Sequence, residues 1–216
     1  MDSRRAEAFS DGVFAVAITV LVFDLLPIGH EVLSYRVLAM GWPQYSAYVV
    51  SFMTIGIMWI NHHTLFAHVR VIDRTLLVLN LLLLMGIVAI PFPTALVAEH
   101  LTGPTSSGGR PAAVVYGAVM LVISVCYNAI WVHLILHAGT LGYGGAGRLR
   151  DAIPRVGPGR RIPRWSIGLG GYLAGTLIAA FWSAAAALAV YGLLAVFYLF
   201  NHLPDPPPQP GYGPQE

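Results

Sequence analysis

"FSDGVFAVAITVLVFDL", Phe9 to Leu25, is an apolar run with Ser10 and Asp11 just inside its start and Asp24 near its end. Most of it suits hydrocarbon. A buried carboxylate, however, costs on the order of several kcal/mol unless it is paired or hydrogen-bonded. The run therefore reads as a membrane-spanning helix that carries a polar anchor. Of the 216 residues, 56% are hydrophobic and only 10% charged, against about 25% charged in a soluble domain. The chain is expected to be an all-α integral membrane protein in a lipid bilayer. All twelve basic residues are arginine, and a net charge of +2 gives no electrostatic footprint for nucleic acid. Cys126 stands alone, which excludes a disulfide framework and a cysteine-based metal site. Arg4 and Arg5 imitate the positive end of a cleaved leader, but the following "LPIGHEV" holds no small-residue cleavage site. A retained helix is expected.

A bilayer core takes roughly 20 apolar residues per helix. Within a transmembrane unit of residues 1–203, that length predicts six spans at about 7–26, 44–66, 75–98, 112–137, 166–182 and 184–201. The last two share one apolar stretch. They read as short helices joined by a tight turn near Trp182 and Ser183, with Gly170, Gly171 and Gly175 allowing close packing; a single bent helix is the competing reading. Pro27 closes the first helix, and Pro91 and Pro93 fall in the last third of the third. The Pro-rich tail, 204–216, is expected to be disordered. Arginine sets the orientation: ten of the twelve fall on one side of a six-span topology, leaving Arg36 and Arg110 on the other. The positive-inside rule then places both termini in the cytoplasm.

Each residue advances the first helix by 100°. With Val16 at zero, Phe9, Gly12, Val20, Phe23 and Pro27 fall within about 40° of it, and Thr19 flanks that stripe. Ser10 points about 120° away, and Asp11 roughly 140° away. One face is thus apolar, and the other presents Ser10 and Asp11 to whatever lies behind. "MWINHHTLF", Met58 to Phe66, ends the second span at the same depth. Its Asn61, His62 and His63 are the expected partners, which makes Asp11 a tie between helices. The competing reading leaves Ser10 and Asp11 in the wet headgroup zone.

These motifs carry a resemblance. Phe9-Ser10-Asp11 with Thr19 eight residues after Asp11, Trp59 with His62-His63 and Phe66, and "NLLLLMGIVAIPFPT" from Asn80 resemble the transmembrane protein 175 family. Its lysosomal members are potassium-permeable channels, and its bacterial members carry one six-helix repeat per chain. The resemblance covers the first three spans by motif and the last three by hydropathy. It implies a homotetramer in the bacterial plasma membrane, with four copies around a pore lined by the first helix. It also implies potassium and other monovalent cations as the permeant ions, with no bound cofactor. Selection would arise at apolar rings and a threonine, without a carbonyl filter. Carried over, the constriction is Val16, followed by Thr19, Val20 and Phe23. Asp11 would join a polar network with the second-span histidines and Arg4 or Arg5. Two residues depart from the family pattern. Val16 is smaller than the usual Ile or Leu, and Phe23 is larger than the usual Leu, so either ring can be the narrowest.

"TLGYG", 140–144, differs by one residue from the carbonyl filter of ordinary potassium channels. It opens the arginine-rich loop assigned to the cytoplasm, with no pore helix before it, so a glycine-rich helix exit is the expected reading. His62, His63, His68, His133 and His137 suggest a membrane metalloenzyme; no cytoplasmic His-x-x-His-His cluster supports one. A secondary transporter would need charged residues at mid-membrane or broken helices. Here only Pro91-Phe92-Pro93 offers a break. Asp24, about 80° off the Val16 stripe, reads as a rim residue at the outer mouth that concentrates cations.

Overall fold

The structure, a computed structural model, describes residues 3–25, 34–67, 69, 71–100, 108–137 and 164–200. The "TLGYG" stretch, the tail from 204, His30, His68, His202 and the side chain of Asp24 lie outside the described residues. Helix α1 spans Ser3–Val20 and tightens into a 3-10 segment, Leu21–Leu25. It is followed by α2 (Tyr35–Met40), α3 (Trp42–Phe66), α4 (Arg74–Val88) and α5 (Pro91–His100). The chain then continues through α6 (Gly109–Leu136), α7 (Arg164–Phe181) and α8 (Ala184–Phe200).

Length and composition decide which helices can cross a bilayer. The 25 residues of α3 rise about 38 Å and the 28 of α6 about 42 Å, enough for a hydrocarbon core of about 30 Å. Among the described residues, four segments are long and apolar enough: Arg4–Phe23, Trp42–Phe66, Arg74–His100 and Gly109–Leu136. Helices α7 and α8 have apolar stretches that are shorter. The turn at Trp182 and Ser183 separates them. Both turn amides donate to the Ile178 carbonyl, at 2.8 and 2.9 Å, and the Ser183 hydroxyl accepts the Ala186 amide at the start of α8.

The third span departs from one continuous helix. Pro91 has no N–H to give the Ile87 carbonyl. That carbonyl instead takes the Ile90 amide at 3.1 Å, a tighter turn, and α5 restarts on Pro91. The Thr94 hydroxyl, which donates to Ile90 O, also meets the Ser51 hydroxyl at 2.8 Å and ties α5 to α3.

The core runs between the helices through Phe14, Leu21, Ile55, Leu76, Leu83, Met120 and Ile130, all fully buried. Two close approaches need glycine. A Cβ on Gly86 would sit 2.8 Å from Ile123 Cγ1, so this residue lets α4 meet α6. The Tyr191 ring occupies the space a Cβ on Gly175 would take. Of the other glycines expected to allow packing, Gly171 meets Leu194, whereas Gly170 faces open space and contributes no close contact. Arg110 closes the far end of α7 by donating to the Ala179 and Ala180 carbonyls, two of its unpaired terminal acceptors.

Candidate functional site

Helix α1 is built from two stripes. Ala6, Ser10, Phe14, Ala17 and Leu21 recur at three- and four-residue spacing and are almost wholly buried against α3 and α4. The opposite stripe is open. Val16 is 57% exposed and Phe23 61%, with Phe9, Gly12, Thr19 and Val20 also exposed. The 3-10 turn places Phe23 over Val20, because residues three apart eclipse in that geometry. Thr19 donates its hydroxyl proton to Val16 O at 2.8 Å. Its oxygen lone pairs remain free to accept on the open face.

A polar chain joins the buried stripe to its neighbours. The Ser10 hydroxyl donates to Ala6 O at 2.8 Å and accepts from Asn80 Nδ2 at 2.9 Å. Asn80 Oδ1 then faces His62 Nε2 at 2.9 Å. Ser10, Asn80 and His62 are all buried. The His62 ring lies between Phe14 of α1, with centroids 5.3 Å apart, and Phe66, stacked at 4.2 Å. Three helices therefore meet at one polar node, and that node fixes the rotation of α1.

Asp11 takes a different partner from the expected one. Its Oδ1 accepts from Trp59 Nε1 at 2.8 Å in a part-exposed position. His63 pairs through Nδ1 with Glu7 at 2.8 Å. Asn61 is half-buried and joins none of these contacts, and Arg4 and Arg5 are exposed. Glu7, Trp59 and Asn80 are the network residues missing from the expected set. Trp59 and Asn80 stand inside stretches that carry the family resemblance, which is the signal that marks them.

The remaining described histidines serve other contacts. Asp73, the N-cap of α4, accepts from the Leu76 amide and meets His133 Nε2 at 2.8 Å. Partial burial raises the Asp73 pKa. The Leu76 amide and the neighbouring His133 and His137 outweigh that and hold the carboxyl below its ordinary value. The His133 and His137 rings, one turn apart on α6, lie tilted to each other with centroids 4.4 Å apart. Among the described residues, no three His, Cys, Asp or Glu side chains converge as metal ligands.

Known proteins are similar along nearly the whole chain. Residues 5–91 match the family described as "Endosomal/lysosomal potassium channel TMEM175". A potassium channel of Streptomyces collinus is 44% identical over 214 residues, 95% of each chain. A potassium channel of Chamaesiphon minutus is 39% identical over 165 residues, 73% of this chain and 80% of the other. The crystal structure of a lysosomal potassium-selective channel TMEM175 homolog from Chamaesiphon minutus superposes with a TM-score of 0.72 at 33% identity. That match covers 91% of this chain and 96% of the other.

Proposed function

The chain belongs to the TMEM175 family, and from that premise we propose that it is a potassium-permeable channel of the bacterial plasma membrane. The observation that carries this reading is the open stripe of α1. Phe9, Val16, Val20 and Phe23 stand exposed on one face, while the opposite face is locked to α3 and α4. In a homotetramer, four such stripes surround one axis and form an apolar neck. Water is held weakly in such a neck, so the same side chains both gate and select. The Thr19 oxygens supply the acceptors that replace part of the ion's hydration shell. Flow is passive and uses no cofactor.

Purified protein in liposomes should pass potassium at well above about 10³ ions per second per assembly, beyond ordinary turnover. A slower, saturable rate would make the protein a carrier.

The arginine asymmetry supports a topology with both termini and the stretch 138–165 in the cytoplasm. With Cys126→Ser as background, Gly145→Cys should react with an impermeant thiol label only from the inside. Reaction from outside would invert the topology.

A further inference from the structure

Helix α1 packs between α3 and α4. Ser10 meets Asn80 of α4, and Asp11, about 100° further round the helix, meets Trp59 of α3. Seen from the open Val16 stripe, α3 and α4 are therefore opposite flanks of the protomer. A closed ring with α1 innermost brings the α3 flank of one copy against the α4 flank of the next, a head-to-tail contact repeated at every interface.

The seam between α1 and α3 is closed near the start of α1 and open beyond it. Glu7 pairs with His63, and one turn further along α1 Asp11 pairs with Trp59, so the two helices are antiparallel. The next turn brings Ala15 on α1 and Gly56 on α3 to about the same level. Ala15 is exposed, and a Cβ on Gly56 would meet nothing within 4 Å. Exposed Trp59 and Phe52, one turn to either side of Gly56 on α3, rim the notch. Glycine is a poor helix former, and inside the protomer Gly56 makes room for no neighbour. The notch has room for a large side chain from outside.

Height selects that side chain. Ser10 and Asn80 are level, since their side chains bond. Helix α3 faces Asn80 from His62 and Thr94 from Ser51, so it runs against α4 and α5, and α4 runs parallel to α1. Five residues on from Ser10 and Asn80, Ala15 and Met85 are level again, about 7.5 Å further along. Met85 is 62% exposed, in the middle of an open stripe of Val78, Leu81, Met85, Val88 and Phe92. That three- and four-residue alternation is the spacing of a helix-packing seam. Rotation about an axis along the membrane normal preserves height, so Met85 of the next copy stands level with the notch. We propose that Met85 of each copy docks in the Ala15–Gly56 notch of the next and locks the ring. The unbranched thioether adapts to an irregular gap, and the small floor lets the two helices approach closely.

The docking rests on the reading that α1 faces the axis of a homotetramer. In a Cys126→Ser background, Ala15→Cys combined with Met85→Cys, treated with a mild oxidant in liposomes, should cross-link into covalent dimers, trimers and tetramers on a non-reducing gel. Ala15→Cys alone, Met85→Cys alone, and Ala15→Cys with Leu193→Cys on the exposed surface of α8 should stay at the single-chain mass. Cross-linking that stops at dimers marks a two-fold contact and overturns the proposal. Equal cross-linking of the α8 pair overturns it too, as does no cross-linking of the notch pair, which would leave the notch to a lipid chain. Val16→Cys alone separates the two claims. A thiol at the axis reaches one partner, so it should give dimers and nothing larger. If those dimers form while the notch pair does not react, the notch alone fails; if they do not form, the placing of α1 at the axis fails. Should the double variant not assemble, Gly56→Leu decides. It fills the notch without touching the rest of the protomer, so helix content by circular dichroism should be unchanged while the tetramer is lost on size exclusion. A Gly56→Leu tetramer as stable as the wild type, or a loss of helix content, overturns the docking.

Discussion

Val16→Asn is expected to raise potassium flux by about tenfold and to lower the preference for potassium over sodium. The two side chains are close in size, so the neck keeps its bore. The amide offers groups that hold water where the isopropyl offers none, and in the proposed tetramer the change is repeated in each copy around the axis. A fall of about 1.4 kcal/mol in the barrier to ion entry gives a tenfold rate, a modest demand on the four substituted side chains of the proposed tetrameric neck. Phe23→Asn is the informative comparison. Phe23 is as exposed as Val16 and lies on the same stripe, one 3-10 turn beyond Val20. If Val16 forms the narrowest ring, its substitution has the larger effect. If the bulkier Phe23 ring has taken over, the order reverses. Potassium and sodium flux measured side by side in liposomes distinguishes the two.

Asn80→Leu is expected to cost more than any single change at the exposed anchors of α1. Leucine nearly preserves the volume, but the buried His62 Nε2–H loses its acceptor. The cost is on the order of 1–3 kcal/mol per unpaired group, repeated in every copy of the proposed tetramer. Asp11→Ala removes one hydrogen bond from a part-exposed site where water can replace it, which keeps the loss to about 0.5–1.5 kcal/mol with no buried group left unpaired. Melting in detergent, followed with size exclusion, should therefore rank Asn80→Leu as the more damaging change, with a melting point several degrees lower and loss of the assembly. A larger loss on Asp11→Ala would return the main tie of α1 to Asp11.

The two faces of α1 were legible in the sequence because they are a property of one helix. The 100° step that gathers Phe9, Gly12, Val16, Val20 and Phe23 on one stripe and turns Ser10 away from it needs no knowledge of the neighbours. The pairing of the polar residues needs that knowledge. Ser10 finds Asn80 70 residues away and Asp11 finds Trp59 48 residues away. Depth in the membrane narrowed the candidates to one end of the second span. Depth does not fix rotation, and the rotation of α3 turns His62 inward, Trp59 toward Asp11 and Asn61 away from both. Asn80 sat within a quoted motif, yet a lone asparagine in an apolar run carries no local sign of its partner. The break between α4 and α5 was written in Pro91, whose missing N–H ends one helix and suits the first turn of the next. Gly170 shows the limit from the other side. Three glycines at close spacing permit contact, but only the two facing α8 use it.

In the proposed channel the open stripe of α1 is the wall of the ion path. In a Cys126→Ser background, Val16→Cys places a thiol on that stripe, and Leu193→Cys places one on the exposed surface of α8. A small, charged, water-soluble thiol reagent should abolish potassium flux through the Val16→Cys channel and leave the Leu193→Cys channel unaffected. Excess potassium should slow the reaction at position 16. Full modification of position 16 with unchanged flux would contradict the account, as would a thiol there that no aqueous reagent reaches while potassium still flows.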